Sequence, residues 1–272
     1  MKQCFKNINN MKLSIIIGNY NTFKLTSDCV KSIYKYPPKF SFEVIVVDDG
    51  STDDSGKKLR EFSKKFKNFK LVLNINNQGF VGTNNKGLRL SRGEYKLLLN
   101  SDTLVKKDSI QSLVDFAEIT NDAGVVGSKL INADGSLQES CYEFPTFRNV
   151  INYKKFAPSV SEAVAVDSVV GASFLITPKA YKLIGGLNPK YKSYFEDLDY
   201  CREVYRKGMK VYYLPSSVVM HYHGESFKQL YGEGYNWQKL VPSSIAYHGK
   251  FKHYLLFIIS WVWQKWNILL KK

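Results

Sequence analysis

The segment from Glu43 to Asp53, EVIVVDDGSTD, constrains the fold more than any other stretch of the chain. Val44-Ile45-Val46-Val47 is a run of β-branched residues without polar alternation, which suits a strand buried on both faces, as in a parallel sheet. Its tail of Asp, Gly, Ser and Thr turns the chain and caps the helix that follows. Leu13–Ile17 reads as a second buried strand, ending in Gly18-Asn19-Tyr20-Asn21, and Lys70–Asn74 as a third. Between the first two, Leu25, Cys29, Ile33 and Tyr34 recur at helical spacing over residues 24–35. Strands alternating with helices, with polar groups at the strands' carboxyl ends, predict a doubly wound α/β sheet. Ligands of such sheets bind in the crevice outside those ends.

A fourth strand, Glu94–Leu99, runs into Asn100-Ser101-Asp102. An acidic turn there places a carboxylate at the lip of the sheet, where it can hold Mg²⁺ or Mn²⁺ and, through the cation, a diphosphate. The same triplet is also an ordinary turn and N-cap. Glycines at 79, 82 and 87 let the backbone of Asn76–Gly87 approach a ligand at a helix start, where free N–H groups favour anions. The spacing is neither a Walker A loop nor a dinucleotide fingerprint.

Further on, Tyr194–Arg202 leads into a helix whose inner face carries Leu198, Cys201 and Val204 or Tyr205. Glu196 and Asp197 fall at its N-terminal end, where the helix dipole favours a carboxylate and is expected to lower the pKa of Asp197. They serve there as caps, or one serves as a general base at the mouth of the cleft. His221 and His223 alternate on one side of a last strand, as core residues or as ligands beside a metal–diphosphate site.

The chain is long enough for a full core, and 44% hydrophobic content argues for a folded protein. Cys4, Cys29, Cys141 and Cys201 form no metal-type pair and are expected to be reduced in a cytosolic protein. The polar first ten residues carry no apolar core of a signal peptide and read as an extension. Net charge is +15, and residues 234–272 hold Lys239, Lys250, Lys252, Lys265, Lys271 and Lys272 with no Asp or Glu. Trp237, Trp261, Trp263 and Trp266 lie among them, as an in-plane helix on anionic lipid requires. The apolar run Tyr254–Trp263 is too short to span a bilayer, which needs about 20 residues. Packing on the core is the alternative, and nucleic acid is the least favoured partner of this basic surface.

The segments SIIIGNYNT, VIVVDDGSTDDS, NNQGFVGTNNKG, YKLLLNSD, VVGASFLI, GGLNPKYKSYFEDLDYCRE and HYHGES, in that order, resemble the inverting glycosyltransferases of family 2. The nearest likeness is to their rhamnosyltransferase-like branch. The resemblance implies the GT-A fold: a mixed, mainly parallel, Rossmann-like sheet over residues 11–227, preceded by the 1–10 extension. A basic aromatic segment, 228–272, follows as a helical or interfacial extension. It implies a nucleotide-diphosphate sugar as donor, UDP- or dTDP-linked, and a hydroxyl of a glycan or lipid-linked glycan as acceptor. Mg²⁺ or Mn²⁺ would be the cofactor. The cytoplasmic face of the membrane would be the place of work, with the enzyme held there peripherally.

Residue by residue, Gly18 and Tyr20 would border the nucleotide base, and Asp48 or Asp49 would hold its uracil-type edge. Asn77, Gly79 and Asn84 would line the ribose–diphosphate path. Asn100 and Ser101 complete the donor side, Asn100 standing where the family often has an Asp. Asp102 would bind the metal, with His221 as a metal or diphosphate contact. Asp197 matches the catalytic base, with Glu196 positioning it, and Asp199 falls on the acceptor side or on the helix surface. A sugar-phosphate nucleotidyltransferase is the rival enzyme, although its basic glycine-rich loop is missing. A non-catalytic basic module for membrane or nucleic acid is the rival of another class.

Overall fold

The computed structural model describes residues 11–146, 149, 155–222 and 236–270. The expected 1–10 extension, His223 and the segment 223–235 lie outside the described residues.

The N-terminal half alternates as its sequence predicts: β1 (Leu13–Asn19), α1 (Phe23–Lys35), β2 (Phe42–Asp48), α2 (Ser55–Ser63), β3 (Phe69–Leu73), α3 (Gly79–Leu90) and β4 (Tyr95–Leu99). These strands are parallel and lie in the order β3-β2-β1-β4. The order therefore switches direction at β1, and a crevice opens beside the carboxyl ends of β1 and β4.

The chain continues through β5 (Thr103–Val105), α4 (Ser109–Ile119) and β6 (Ala123–Ile131). Four short strands follow: β7 (Cys141–Tyr142), β8 (Lys155–Phe156), β9 (Val164–Val166) and β10 (Ser168–Val169). Then come β11 (Ser173–Ile176), α5 (Pro178–Ile184), α6 (Glu196–Arg206), β12 (Lys210–His221), α7 (Asn236–His248) and α8 (Lys250–Leu270). The large sheet runs β3-β2-β1-β4-β11-β6-β12-β5, with β9 added on β12. β6 and β12 share the direction of the first four strands, whereas β11, β5 and β9 run against them. β10, β7 and β8 form a separate antiparallel sheet.

Helices cover both faces, and the pleat explains why the strand sequences are apolar throughout. Leu13, Ile15 and Ile17 of β1 face α1, α2 and α4, together with Cys29, Ile33, Leu59 and Leu113. Ile16, between them, faces α3, α5 and α6, together with Val81, Leu88, Ala180 and Val204. Thr177 and Pro178 start α5 as the sequence rules suggest, the threonine hydroxyl accepting from the Ala180 amide at 3.3 Å.

The glycine-rich segment differs from expectation. Gly82 and Gly87 lie inside α3 rather than in a ligand-facing loop. A Cβ on Gly87 would stand 2.3 Å from Cγ2 of Ile16, so this glycine lets α3 press onto β1. Only Gly79, at φ +74°, needs glycine for its backbone conformation.

Candidate active site

The carboxyl ends of β1 and β2 are in register, Asn19 beside Asp48. Asp48 accepts from Asn19 Nδ2 at 2.6 Å, from Ser51 Oγ at 2.6 Å and from the Ser51 amide at 3.2 Å. Asp49 accepts from Asn74 Nδ2 at 2.8 Å and from the amides of Gln78 and Gly79 at 2.9 and 3.0 Å. Both carboxylates are buried and hold the crevice loops to one another. Each is thus a staple of the wall, whatever contact Asp48 or Asp49 makes to the edge of a base.

The path expected to carry a diphosphate begins at α3. Asn77 caps the Gly79 amide at 3.0 Å, and Lys192 O stands over the same turn, accepting from the Val81 amide at 3.3 Å. Asn84 is buried and donates to Phe80 O at 2.9 Å, a bond within the helix. Gly18 faces Thr83, whose hydroxyl is buried without a hydrogen-bond partner among the described residues. Tyr20 is half-buried at the rim.

β5 leaves the Asn100–Asp102 turn and pairs with β12, which sets His221 opposite Thr103. The Tyr222 amide donates to Asp102 O at 2.9 Å, and His221 Nε2 stands 3.4 Å from Asp102 Oδ1. Both side chains are buried. The other ring nitrogen, Nδ1, meets Gln138 Oε1 at 2.7 Å. Among the described residues no three His, Cys, Asp or Glu side chains gather as a metal cage. One carboxylate and one imidazole nevertheless fit Mn²⁺ or Mg²⁺, since these ions keep waters and take substrate phosphates at their remaining positions.

The acid pair is tied to the same strand end by another route. The Asn100 amide donates to Ala172 O at 3.0 Å, and the neighbouring Gly171 amide donates to Asp197 Oδ2 at 3.0 Å. Asp197 Oδ1 accepts from the Leu198 amide at 2.8 Å. Burial pushes the Asp197 carboxyl above the usual aspartate range, outweighing these two amides. That corrects the expectation of a pKa lowered by the helix dipole. Glu196 is raised well above its ordinary value by burial and by the charge of Asp197. Its Oε2 is buried without a partner among the described residues. Of the two acids, Asp197 has a backbone donor on each carboxylate oxygen, whereas Glu196 Oε2 has none among the described residues.

Tyr194 and Phe195, at φ +67° each, precede the pair in the left-handed region. Such residues cost on the order of 1–3 kcal/mol each and persist only where the surroundings impose them. Here α7 supplies the constraint: Tyr247 and His248 pack on the Phe195 ring at 5.2 and 5.9 Å, and Ser243 Oγ donates to Ser193 O at 2.6 Å. The segment expected to be an appendage thus braces the site. Asp199 is not on the helix surface. It is buried and bound by Arg202 at 2.6 Å, Tyr191 at 3.1 Å and Asn188 at 3.1 Å.

The fold therefore brings Asp102 to His221, and Asn100 to Asp197 through Gly171–Ala172. Sequence reasoning missed Gln138, Gly171 and Lys155. Lys155, on the small sheet, is pushed down by burial while the charge of Asp197 opposes the shift. Gln138 and Lys155 carry no sequence signal, because each is placed by a loop or a short strand, and Gly171 stands in the VVGASFLI segment without a role assigned to it. Tyr142, Phe144 and Phe156, from the stretch between β6 and β9, pack against the α6 side of the core.

Comparison with known proteins agrees with this geometry. The model of glycosyl transferase family 2 matches residues 14–171, and that of glycosyl transferase family group 2 matches residues 97–264. The poly(ribitol-phosphate) beta-glucosyltransferase of Bacillus spizizenii is 32% identical over 127 residues, 46% of this chain and 20% of that protein. The chain thus spans about a fifth of that relative's length. GalNAc-T7, solved with UDP, GalNAc and Mn²⁺, superposes with TM-score 0.66 at 18% identity, over 78% of this chain and 44% of that one. Staphylococcus aureus TarS 1-349 in complex with UDP-GlcNAc gives TM-score 0.60 at 21% identity, over 81% and 62%. At these identities the two structures show the shared GT-A fold.

Proposed function

The chain belongs to glycosyl transferase family 2, and from that premise we propose that it transfers a sugar, with inversion, from a nucleotide-diphosphate sugar to a hydroxyl of a glycan or lipid-linked glycan. One observation carries the reading. Two hydrogen bonds of 3.0 Å, through Ala172 and Gly171, tie the end of β4 to Asp197, so a donor-side turn and a carboxylate base share one crevice. The relatives' UDP and UDP-GlcNAc ligands support a UDP-linked donor, and dTDP remains the second candidate.

In this reading the acceptor hydroxyl attacks the anomeric carbon from the face opposite the diphosphate. Asp197 takes the hydroxyl proton on an oxygen that Gly171 or Leu198 already orients. The buried setting of Asp197 raises its basicity, which suits the role. Glu196 shapes the local field and keeps water from the base. Asp102 and His221 would hold Mn²⁺ or Mg²⁺, whose charge would neutralise the leaving diphosphate. Asp48, Asp49, Asn77 and Gly79 keep the loops of the nucleotide wall in place around Gly18, Tyr20 and Asn84. Asn100 and Ser101 lie on the sugar–diphosphate side.

The α8 helix adds a membrane surface as the place of work. Lys252, Leu256 and Ile259 lie towards the body, while Phe251, Tyr254, Phe257, Ile258, Trp261, Val262 and Trp266 are exposed on the outer side. Lys250 and Lys265 accompany them without an acidic residue, the composition of an in-plane helix on anionic lipid. Among the described residues no helix is long and apolar enough to cross a membrane.

A thermal-shift screen with UDP, dTDP and GDP, with and without Mn²⁺, tests the donor site. Metal-dependent stabilisation by one nucleotide is expected, and its loss in Asp102→Ala. No stabilisation by any nucleotide would favour a binding module instead. The anomeric configuration of the product, read by NMR, decides inversion.

A further inference from the structure

Gln138 lies in the segment between β6 and β7, where no motif is legible, yet its side chain is buried against the end of β12. Its amide hydrogen bond to Leu130 O at 2.9 Å and the bridge from Ile131 to Leu137 fold this segment back along β6. The side chain then meets His221 twice. Nε2 is 3.2 Å from the backbone carbonyl of His221, and Oε1 is 2.7 Å from the ring Nδ1.

The first contact fixes the meaning of the second. A backbone carbonyl can only accept, so the amide end facing it must be the NH₂ group. Asn132 Oδ1, 2.7 Å from the same Nε2, takes its other hydrogen. Oε1 therefore faces Nδ1 and can only accept, so Nδ1 must carry its hydrogen. Nε2 is left as the ring atom turned towards Asp102, at 3.4 Å. In a neutral ring Nε2 then offers a lone pair to the space shared with the carboxylate. A lone pair and a carboxylate side by side invite a cation between them.

We infer that Gln138 is a positioning residue that locks His221 in its Nδ1–H tautomer, keeping Nε2 available, with Asp102, for the divalent cation. The inference rests on the metal reading of Asp102 and His221, and it adds an outer partner that sets the orientation and tautomer of a ligand imidazole. Outer partners of this kind typically change metal affinity 10- to 100-fold when removed.

The test uses the full chain and two readouts. Long-range ¹⁵N–¹H spectra of the metal-free protein report the tautomer of His221, its signals being assigned by their absence in His221→Asn. Titration with Mn²⁺ alone, followed by the EPR signal of the free ion, reports affinity. The parent should show the Nδ1–H form, and Gln138→Leu a mixture or the opposite tautomer, with Mn²⁺ affinity lower by about 10- to 100-fold. Gln138→Glu restores an acceptor at Nδ1 but sets its second oxygen against the His221 carbonyl and Asn132 Oδ1, so it should recover the tautomer and affinity in part, above Gln138→Leu, which a purely packing role would not allow. An unchanged tautomer in Gln138→Leu overturns the inference. So does an unchanged Mn²⁺ affinity there, if Asp102→Ala loses it. Absence of Mn²⁺ binding in the parent refutes the metal half of the inference together with the metal reading it rests on. The tautomer spectra then still decide the clamp.

Discussion

The Gly171 amide donates to Asp197 Oδ2 at 3.0 Å, so the acid at the head of α6 is oriented by the strand-end segment beside Asn100. Glu196, one residue earlier, has a buried oxygen with no such partner among the described residues. Neighbours in sequence, the two acids differ in what holds them, and they should differ in what they do.

Asp197→Asn should lower the transfer rate by roughly 10²- to 10⁴-fold, the contribution of a positioned base. Donor affinity should stay near that of the parent. Glu196→Gln should cost less, because only Asp197 has both carboxylate oxygens held by backbone amides. Steady-state transfer rates and donor titrations of both variants check this; an inactive Glu196→Gln beside an active Asp197→Asn reverses the assignment.

The pH profile should carry the mark of burial. Asp197 works as its anion, and burial raises its pKa above the ordinary 3.8. The rate should therefore fall on acidification at a pH above that value, and the fall should vanish in Asp197→Asn. Measuring transfer from pH 4 to 8 in both proteins locates the limb, and a parent rate unchanged down to about 4, the ordinary aspartate value, would contradict it.

Stability should respond to Glu196 in the opposite sense to a salt-bridged acid. The folded chain holds the Glu196 proton more tightly than the unfolded chain, whose value lies near the ordinary 4.5. That contribution is fully present below 4.5 and is lost as pH rises towards the raised folded value. Glu196→Gln removes the loss. Its Tm relative to the parent should thus be more favourable at pH 7.5 than at pH 4.5, and an equal difference at both would exclude a raised pKa.

Gly87 should not tolerate a methyl group. Alanine would gain about 1 kcal/mol of helix propensity, but overpacking typically costs about 1–3 kcal/mol. Ile16 is fully buried, so it cannot swing away from a Cβ at 2.3 Å. The clash should win, and Gly87→Ala should melt below the parent in a thermal scan.

Trp261→Ser combined with Trp266→Ser should weaken binding to vesicles containing anionic lipid without lowering Tm. These rings are 54% and 62% exposed and bury little against the body. Raised salt should weaken the parent's binding too, since lysines supply part of the attraction. Truncation before α7 is the wrong test, because Tyr247 and His248 brace Phe195 beside the acid pair.

The sequence by itself determined the four parallel strands β1–β4 and their polar carboxyl ends. The β-branched run of β2 and the apolar alternation of α1 need only local information, and both form where their pattern predicts. Asp102 and His221 were legible as polar residues closing apolar runs. Tertiary structure alone decided which of these residues meet. The β5–β12 pairing joins positions far apart in the chain, and a hydrogen bond from Gly171 ties Asp197 to the segment beside Asn100. Gln138 was invisible because its role depends on a carbonyl and a ring nitrogen from another strand. The direction of the Asp197 pKa was misjudged for a related reason: the dipole of a helix end can be read from sequence, whereas the burial that outweighs it exists only once the loops have closed over the carboxylate.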